Sequence, residues 1–422
     1  MATPLQTIAG AIFRRERLMG IFFLLMGLAI VLLFAPSAQP TQLSTFNLDI
    51  PSGLPVRPIS VPSPSIPTLP AIYLMGLTVA FLGGWQLARG FKSVNAVLGI
   101  IIVVFIAAFL TWAARGKAFN LTGMLASTLL RATPIALGAL CGIWCERSAV
   151  INIGIEGMML SGAFTAVIVS SVTDNLFLGL LTALLTGALM AAFLALLAIR
   201  FRVDQIVAGT VINIFATGFT SFFSGRFLEI NQELNASATF QPMAIPGLAQ
   251  IPVLGPIFFQ SNLVVYLMLV LVVVTHIVLF YTRWGLRSRA VGEHPLAADT
   301  LGINVIRTRY INVIIGGMIA GLGGAYFTLS SVGRFDEVMT GGKGFIGLAA
   351  MIFGKWTSFG ALGSSLIFGF ADSLQVKLSI LEVPIPSSFL LMAPYLATMI
   401  VLTGIVGRAI PPAADGQPYK KQ

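Results

Sequence analysis

Seven ionisable side chains fall inside, or at the ends of, long apolar runs: Arg131, Glu146, Arg147, Glu156, Lys343, Lys355 and Asp372. A charge at the centre of a bilayer costs roughly 2.5–3.5 kcal/mol on insertion scales, so such groups face a protein interior, pair, or sit near an interface. The chemistry open to them is electrostatic: lining a polar path, holding a coupling ion or proton, or pairing with each other. Glu156 follows Asn152 across a glycine break in INIGIEGMMLSGAF, 151–164. The freed backbone with Asn152, Gly154, Glu156 and Gly157 could line a polar path, or Glu156 could only stabilise the broken helix. A second glycine-interrupted stretch, GGKGFIGLAAMIFGKW at 341–356, puts Lys343 and Gly344 in the same class. Irregular backbone is tolerated at membrane depth only where it lines a cavity or is buried in protein, and transporters often build their pathway from such breaks at matching positions in two halves. Glu146 and Arg147, adjacent at a span end, need only pair or snorkel.

Catalytic chemistry finds little to work with. His276 and His294 are the only histidines, and neither has a nucleophile or acid ladder beside it. GGKG at 341–344 lacks the spacing and the hydroxyl residue of a phosphate-binding loop, so ATP hydrolysis is not expected of this chain. Cys141 and Cys145, four apart, share a helix face and read as buried small side chains rather than a disulfide or a zinc site. The Gly317/Gly321 spacing in an apolar run is helix-packing chemistry.

The one long hydrophilic island between apolar runs is TRWGLRSRAVGEHPLAADTLGINVIRTR, 282–309. Arg283, Arg287, Arg289, Arg307 and Arg309 crowd its ends, which places it on the cytoplasmic side. Glu293 to Gly302 predicts a short capped helix: Pro295 suits the first turn, Glu293 the positive end of the dipole, and Gly302 the stop. Gly292, Ala297 and Ala298 allow close approach of a partner. So short a helix is not stable alone and must dock on something.

These residues are positioned by a membrane protein. The chain is 57% hydrophobic and 9% charged, against about 25% charged in soluble domains. Its net charge of +10 gathers at span ends, which favours cytoplasmic loops and anionic lipid over nucleic acid. Apolar segments recur near 18–34, 71–88, 94–113, 123–145, 156–173, 176–199, 205–225, 261–282, 310–332, 343–356, 358–375 and 387–406. This predicts an all-α polytopic transmembrane bundle of about ten to twelve spans, some broken or re-entrant. Both termini fall in the cytoplasm. The first run has the plan of a signal peptide, with APSAQ at 35–39 as a possible cleavage site, but its length favours a retained helix. Residues 35–70 hold nine of the 22 prolines and read as an extended external linker. Segment 226–260 also falls outside, with IPGLAQIPVLGPIFF as an interfacial helix or hairpin that an external partner would meet.

CERSAVINIGIEGMMLSGAF, AVGEHPLAADTLGINV and GGKGFIGLAAMIFGKW resemble the permease subunits of bacterial ABC importers for nucleosides and simple sugars, in the branched-chain amino acid/ribose-type superfamily. More narrowly, they are similar to permeases served by lipoprotein receptors of the basic-membrane-protein type. The likeness runs from about Leu121 to the PPAADGQPY tail. It implies an ABC permease domain over 121–410, a tail over 411–422, and an N-terminal extension over 1–120 with about three spans. It also implies a separate ATPase that binds ATP and Mg and docks on the 282–309 loop, a second related permease, and an extracytoplasmic substrate-binding lipoprotein. This chain then carries no cofactor or metal, and its cargo is a nucleoside or, alternatively, a ribose-like sugar. From the residues alone, an ion-coupled secondary transporter using Glu156 and Asp372, or a membrane scaffold, stays open.

Overall fold

The computed structural model describes residues 15–49, 54–381 and 410–421, with isolated positions 383, 389 and 392 between them. The apolar segment expected near 387–406 lies outside the described residues. Among the described residues, nine helices are long and apolar enough to cross a membrane.

Two units divide the chain, one within residues 1–52, 58–123 and 376–387, the other within 53–57, 124–375 and 388–422. In the first unit, α1 (Arg15–Ala29) continues as a wider turn to Phe34 and packs on α2 (Thr68–Ala88). Glycines permit the approach: a Cβ on Gly83 would lie 2.5 Å from the Leu24 amide nitrogen. α3 (Val94–Ala113) follows. The proline-rich stretch is not only a spacer, because β1 (Leu43–Asn47) pairs antiparallel with β2 (Ser65–Pro67) and parallel with β3 (Ala118–Asn120). Most of its prolines lie outside the strands, and Pro67 is the last residue of β2.

The second unit contains α4 (to Glu146 from Leu121), α5 (Ile155–Thr173), α6 (Leu176–Ala195), α7 (Gln205–Phe223), a five-residue α8 (Leu254–Phe258) and α9 (Leu263–Tyr281). Then come α10 (Arg283–Glu293), α11 (Pro295–Thr300), α12 (Val305–Ala325), α13 (Lys343–Phe353) and α14 (from Ser358 to Ile380). Side chains that accept from free N–H groups mark many of the starts: Asn175 for α6, Asp204 for α7, Asn262 for α9, Thr282 for α10 and Asn304 for α12. Two-residue strands β4 (Met243–Ala244) and β5 (Gln260–Ser261) close the 243–261 segment as a hairpin around α8, one of the two forms expected there.

Burial ranks the helices. The apolar windows of α4, α5 and α12 are each 72% buried, against 28–39% for the other spans. These three form the centre of the second unit, with Ile135, Leu137, Leu140, Ile143, Leu322 and Leu329 in its core. In water-free surroundings helices associate by close packing rather than by a hydrophobic drive, so small residues line the crossings. A Cβ on Gly321 would come within 3.3 Å of the Gly187 Cα on α6, and one on Gly162 of α5 within 2.9 Å of the Gly321 Cα. The glycine spacing of α12 serves packing, as its sequence suggested.

Candidate functional site

The two glycine-broken segments meet. Glu156, in the first turn of α5, is buried. One carboxylate oxygen accepts from the Thr340 hydroxyl at 2.6 Å and the Gly342 N–H at 2.8 Å; the other accepts from the Gly344 N–H at 2.7 Å. The start of α13 leaves N–H groups without partners and carries a partial positive charge, and this carboxylate answers both. Gly342, at φ +76°, caps that helix without a side chain. A Cβ on Gly344 would press on the Glu156 backbone at 2.7 Å, so the glycine is what lets the two segments touch.

The first break is plugged by α7. Asn213 accepts from the Gly157 N–H at 2.8 Å and donates to the Ile153 carbonyl at 2.9 Å. Gln205 accepts from the Ile151 N–H at 2.6 Å. Gly154 fits against Gly209 and Ile212. Asn152 is fully buried, with its amide against the sulfurs of Cys141 and Cys145 at 3.4 and 3.5 Å. Of the expected pathway residues, Asn152, Gly154, Glu156, Gly157 and Gly344 thus pack among helices. Lys343 stands apart, since it faces a cavity.

That cavity, about 290 Å³, is lined by Ser127, Arg131, Tyr326, Phe327, Lys343 and Asp372 among others. Lys343 and Asp372 form an ion pair there, with both side chains partly open. Three of the seven ionisable groups noted in the sequence therefore converge on one polar chamber with two aromatic rings. A second cavity of about 560 Å³ lies where the ends of α7 and α12 meet, beside Glu229, Asn235, Arg334, Asp336 and Glu337. Arg334 pairs with Asp336 at 3.1 Å on an exposed surface.

The hydrophilic island holds two helices, not one. Glu293 ends α10 instead of opening the next helix, and its carboxylate accepts from the Ala413 N–H of the tail at 3.2 Å. His294 is the cap of α11: its Nδ1 accepts from the Ala297 N–H at 3.1 Å, with Pro295 in the first turn as expected. A residue just before a helix-opening proline is a cap by position, so that signal was readable. Gly302 follows the end of α11 at φ +80°. Ala297 is exposed and Ala298 buried, so the two alanines do different work. Leu296 and Leu301 also stand exposed beside Ala297, Leu301 at 82%. Gly292 gives its carbonyl to the Ala414 N–H at 3.0 Å.

Glu146 and Arg147 do not pair. Both hold Trp356: Glu146 accepts from the indole N–H at 2.6 Å, and the Arg147 guanidinium donates to the Trp356 carbonyl at 2.9 and 3.1 Å. Lys355 and Trp356 both adopt left-handed backbone, at φ +54° and +51°, a costly conformation for side-chain-bearing residues that this grip maintains. Burial lowers the Arg147 pKa, with neighbouring Arg289 adding to the effect and Glu293 opposing it.

Residues 124–407 match the family described as branched-chain amino acid transport system / permease component. The chain is 46% identical over 311 residues to the guanosine ABC transporter permease protein NupQ of Bacillus subtilis, covering 70% of this chain and 95% of that protein. It is 42% identical over 309 residues to the nucleoside ABC transporter permease protein NupC of Lactococcus lactis, covering 71% and 96%. It is also 25% identical over 326 residues to the guanosine ABC transporter permease protein NupP of Bacillus subtilis, covering 74% and 83%. No solved structure matches the chain. The apolar helices make it a multi-pass membrane protein, and the matches make it a member of the branched-chain amino acid transport system permease family, a permease subunit of an ABC-type importer.

Proposed function

We propose that this chain carries nucleosides across the cytoplasmic membrane, driven by a separate ATPase that docks on α11. The observation that supports the cargo best is the chamber of Arg131, Tyr326, Phe327, Lys343 and Asp372 in a chain so similar to permeases named for guanosine and nucleosides. A solute with sugar hydroxyls and a flat ring finds hydrogen-bonding groups and aromatic faces there. The ATPase meets the exposed Leu296, Ala297 and Leu301, with Arg287 and Arg307 on the flanks and Gly292, Glu293, Pro295, Ala298 and Gly302 fixing the shape. Both termini lie in the cytoplasm in this orientation. The cavity at Glu229, Asn235 and Glu337 then faces outward, where a substrate-binding lipoprotein delivers its cargo. A second, related permease completes the channel; two permease proteins named for guanosine in one organism both resemble this chain. Residues 1–120 are an extension to the transport domain over 121–410, and Glu156 with Asn152, Gly154, Gly157 and Gly344 frames the pathway that Lys343 lines.

Uptake of labelled nucleosides and labelled pentoses, in cells making the chain with its partner subunits, tests the cargo. Nucleoside accumulation that stops on ATP depletion is expected. Pentose uptake alone would transfer the reading to a sugar, and uphill transport by the isolated chain on an ion gradient would end it. Ala297→Trp tests the docking site. It should abolish uptake and ATPase co-purification while leaving the thermal stability of the chain unchanged, since Ala297 is exposed.

A further inference from the structure

The last residues of the chain are bound to the cytosolic helices at every turn. The Ala413 N–H donates to the Glu293 carboxylate at 3.2 Å, and the Ala414 N–H to the Gly292 carbonyl at 3.0 Å. The Arg309 guanidinium, 1% exposed at the start of α12, donates to the Gln417 carbonyl at 3.1 Å. Tyr419 is buried in a small apolar cluster with Val291 of α10, Ala298 of α11 and Val305 of α12, and the Arg309 guanidinium lies 6.0 Å from its ring centre. Gly416, at φ +73°, lets the segment turn where a Cβ would meet Ile151 at 2.8 Å. Burial pushes the Asp415 carboxyl up to about 6, and Glu146 at the end of α4 is among the groups around it. Prolines at 411, 412 and 418 stiffen the segment, so less disorder is lost when it binds.

α11 has six residues, far too few to hold a helix by its own hydrogen bonds. Its one buried side chain is Ala298, and Tyr419 is the large residue packed on it. We propose that residues 411–420 act as a clasp that fixes α10 and α11 in the arrangement presented to the ATPase, with Tyr419 as its buried pin and the Arg309–Gln417 hydrogen bond as its anchor. The tail then belongs to the docking site as a positioning element. This rests on the reading of α11 as the ATPase contact.

Hydrogen exchange on the purified full-length chain, with no ATPase present, tests the clasp itself. Tyr419→Ala should speed exchange of the amides over 291–303 at least ten-fold, while Tyr419→Phe stays within two-fold of the wild type because the ring remains. Equal exchange in Tyr419→Ala and wild type overturns the clasp, whatever happens to uptake. In the assembled transporter, Tyr419→Ala should lower ATPase co-purification and uptake together, at least five-fold. Faster exchange with undiminished co-purification, while Ala297→Trp abolishes it, overturns the role in docking and leaves the docking site in place. If Ala297→Trp also leaves co-purification unchanged, the ATPase contact is elsewhere, and the positioning role falls with it. Should Tyr419→Ala fail to insert, Tyr419→Leu, which keeps an apolar pin, carries the same exchange comparison.

Discussion

Glu146 and Glu156 are both buried, ten residues apart on either side of the break at 147–154, yet they are held in opposite ways. Glu156 takes three donors, two of them backbone N–H groups at a helix start, and all come from one short stretch, 340–344. Both of its oxygens are occupied, so the contact fixes α5 to the start of α13. Glu146 takes one indole N–H and meets a second carboxyl, Asp415, from a segment that enters from the far end of the sequence. Burial pushes the Asp415 carboxyl up to about 6, which makes this neighbourhood sensitive to pH. One glutamate joins two membrane segments through three hydrogen bonds; the other stands beside a tail held mainly by other residues. The contrast is between a static, densely bonded contact and a pH-sensitive one.

Glu156→Ala should produce the largest effect. It leaves a helix start and a hydroxyl without an acceptor in a buried place, at about 1–3 kcal/mol for each stranded group, so a loss of about 5 kcal/mol is expected. Thermal unfolding of the solubilised protein should drop by about 10 °C or more, while Glu156→Gln, which keeps one acceptor oxygen, should lose less. An alanine variant that melts with the wild type would remove the static half of the contrast.

The Lys343–Asp372 pair lies between the two extremes: a direct ion pair, but open to a cavity. Lys343→Met or Asp372→Asn alone strands a partly buried charge, at a cost of about 2–3 kcal/mol given the water in the chamber. The double variant should recover most of the stability and still transport poorly, because the chamber has lost its two paired charges. If the two losses simply add, the residues do not act as a pair and the chamber is framed differently.

The features legible in the sequence were the ones with a local signature. Long apolar runs gave the spans, the arginine-flanked island gave the hydrophilic segment between two of them, and glycine breaks at 151–164 and 341–356 marked the places where helices are interrupted. Which residues face a cavity was not legible, because that depends on contacts between distant segments. Nothing near Glu156 announces that its partners are Thr340, Gly342 and Gly344, 184 to 188 residues on. Arg309 reads as one more basic residue at a span end, while in the fold it is nearly inaccessible and serves the tail. Glu293 was expected at the positive end of the short helix's dipole; it ends the preceding helix instead, and His294 takes the cap. The tail itself, ten polar and proline-rich residues, has no periodicity that would predict packing. Tyr419 is its one large apolar group, and only the cluster of Val291, Ala298 and Val305 gives that residue a purpose.

The smallest effect is the dependence of the clasp on pH, and it separates the two glutamates most finely. Burial pushes the Asp415 carboxyl up to about 6, against the lowering pull of the Glu146 hydrogen bond, the Gly416 N–H and Arg309. When the tail is released, Asp415 returns to the ordinary carboxylate value near 3.9. The clasped state therefore holds a proton more readily than the open one. Its stability is greatest at low pH, declines as pH rises from about 4 through about 6, and is level above that. Between pH 5 and pH 7 the protection of the tail amides, corrected for intrinsic exchange, should fall about ten-fold. The charged groups facing Asp415 are Glu146 from α4 and Arg309 from α12, with Arg147, Arg289 and Glu293 forming the next ring around Arg147. Asp415→Asn removes this titrating group at nearly the same size, so protection over 411–420 should become flat across this range. Asp415 is not among the partners of Glu156, so exchange of the Gly342 and Gly344 amides should show no such pH term in either protein. A pH-dependent loss of protection that persists in Asp415→Asn would assign the titration to another group and leave the tail anchored by Tyr419 and Arg309 alone.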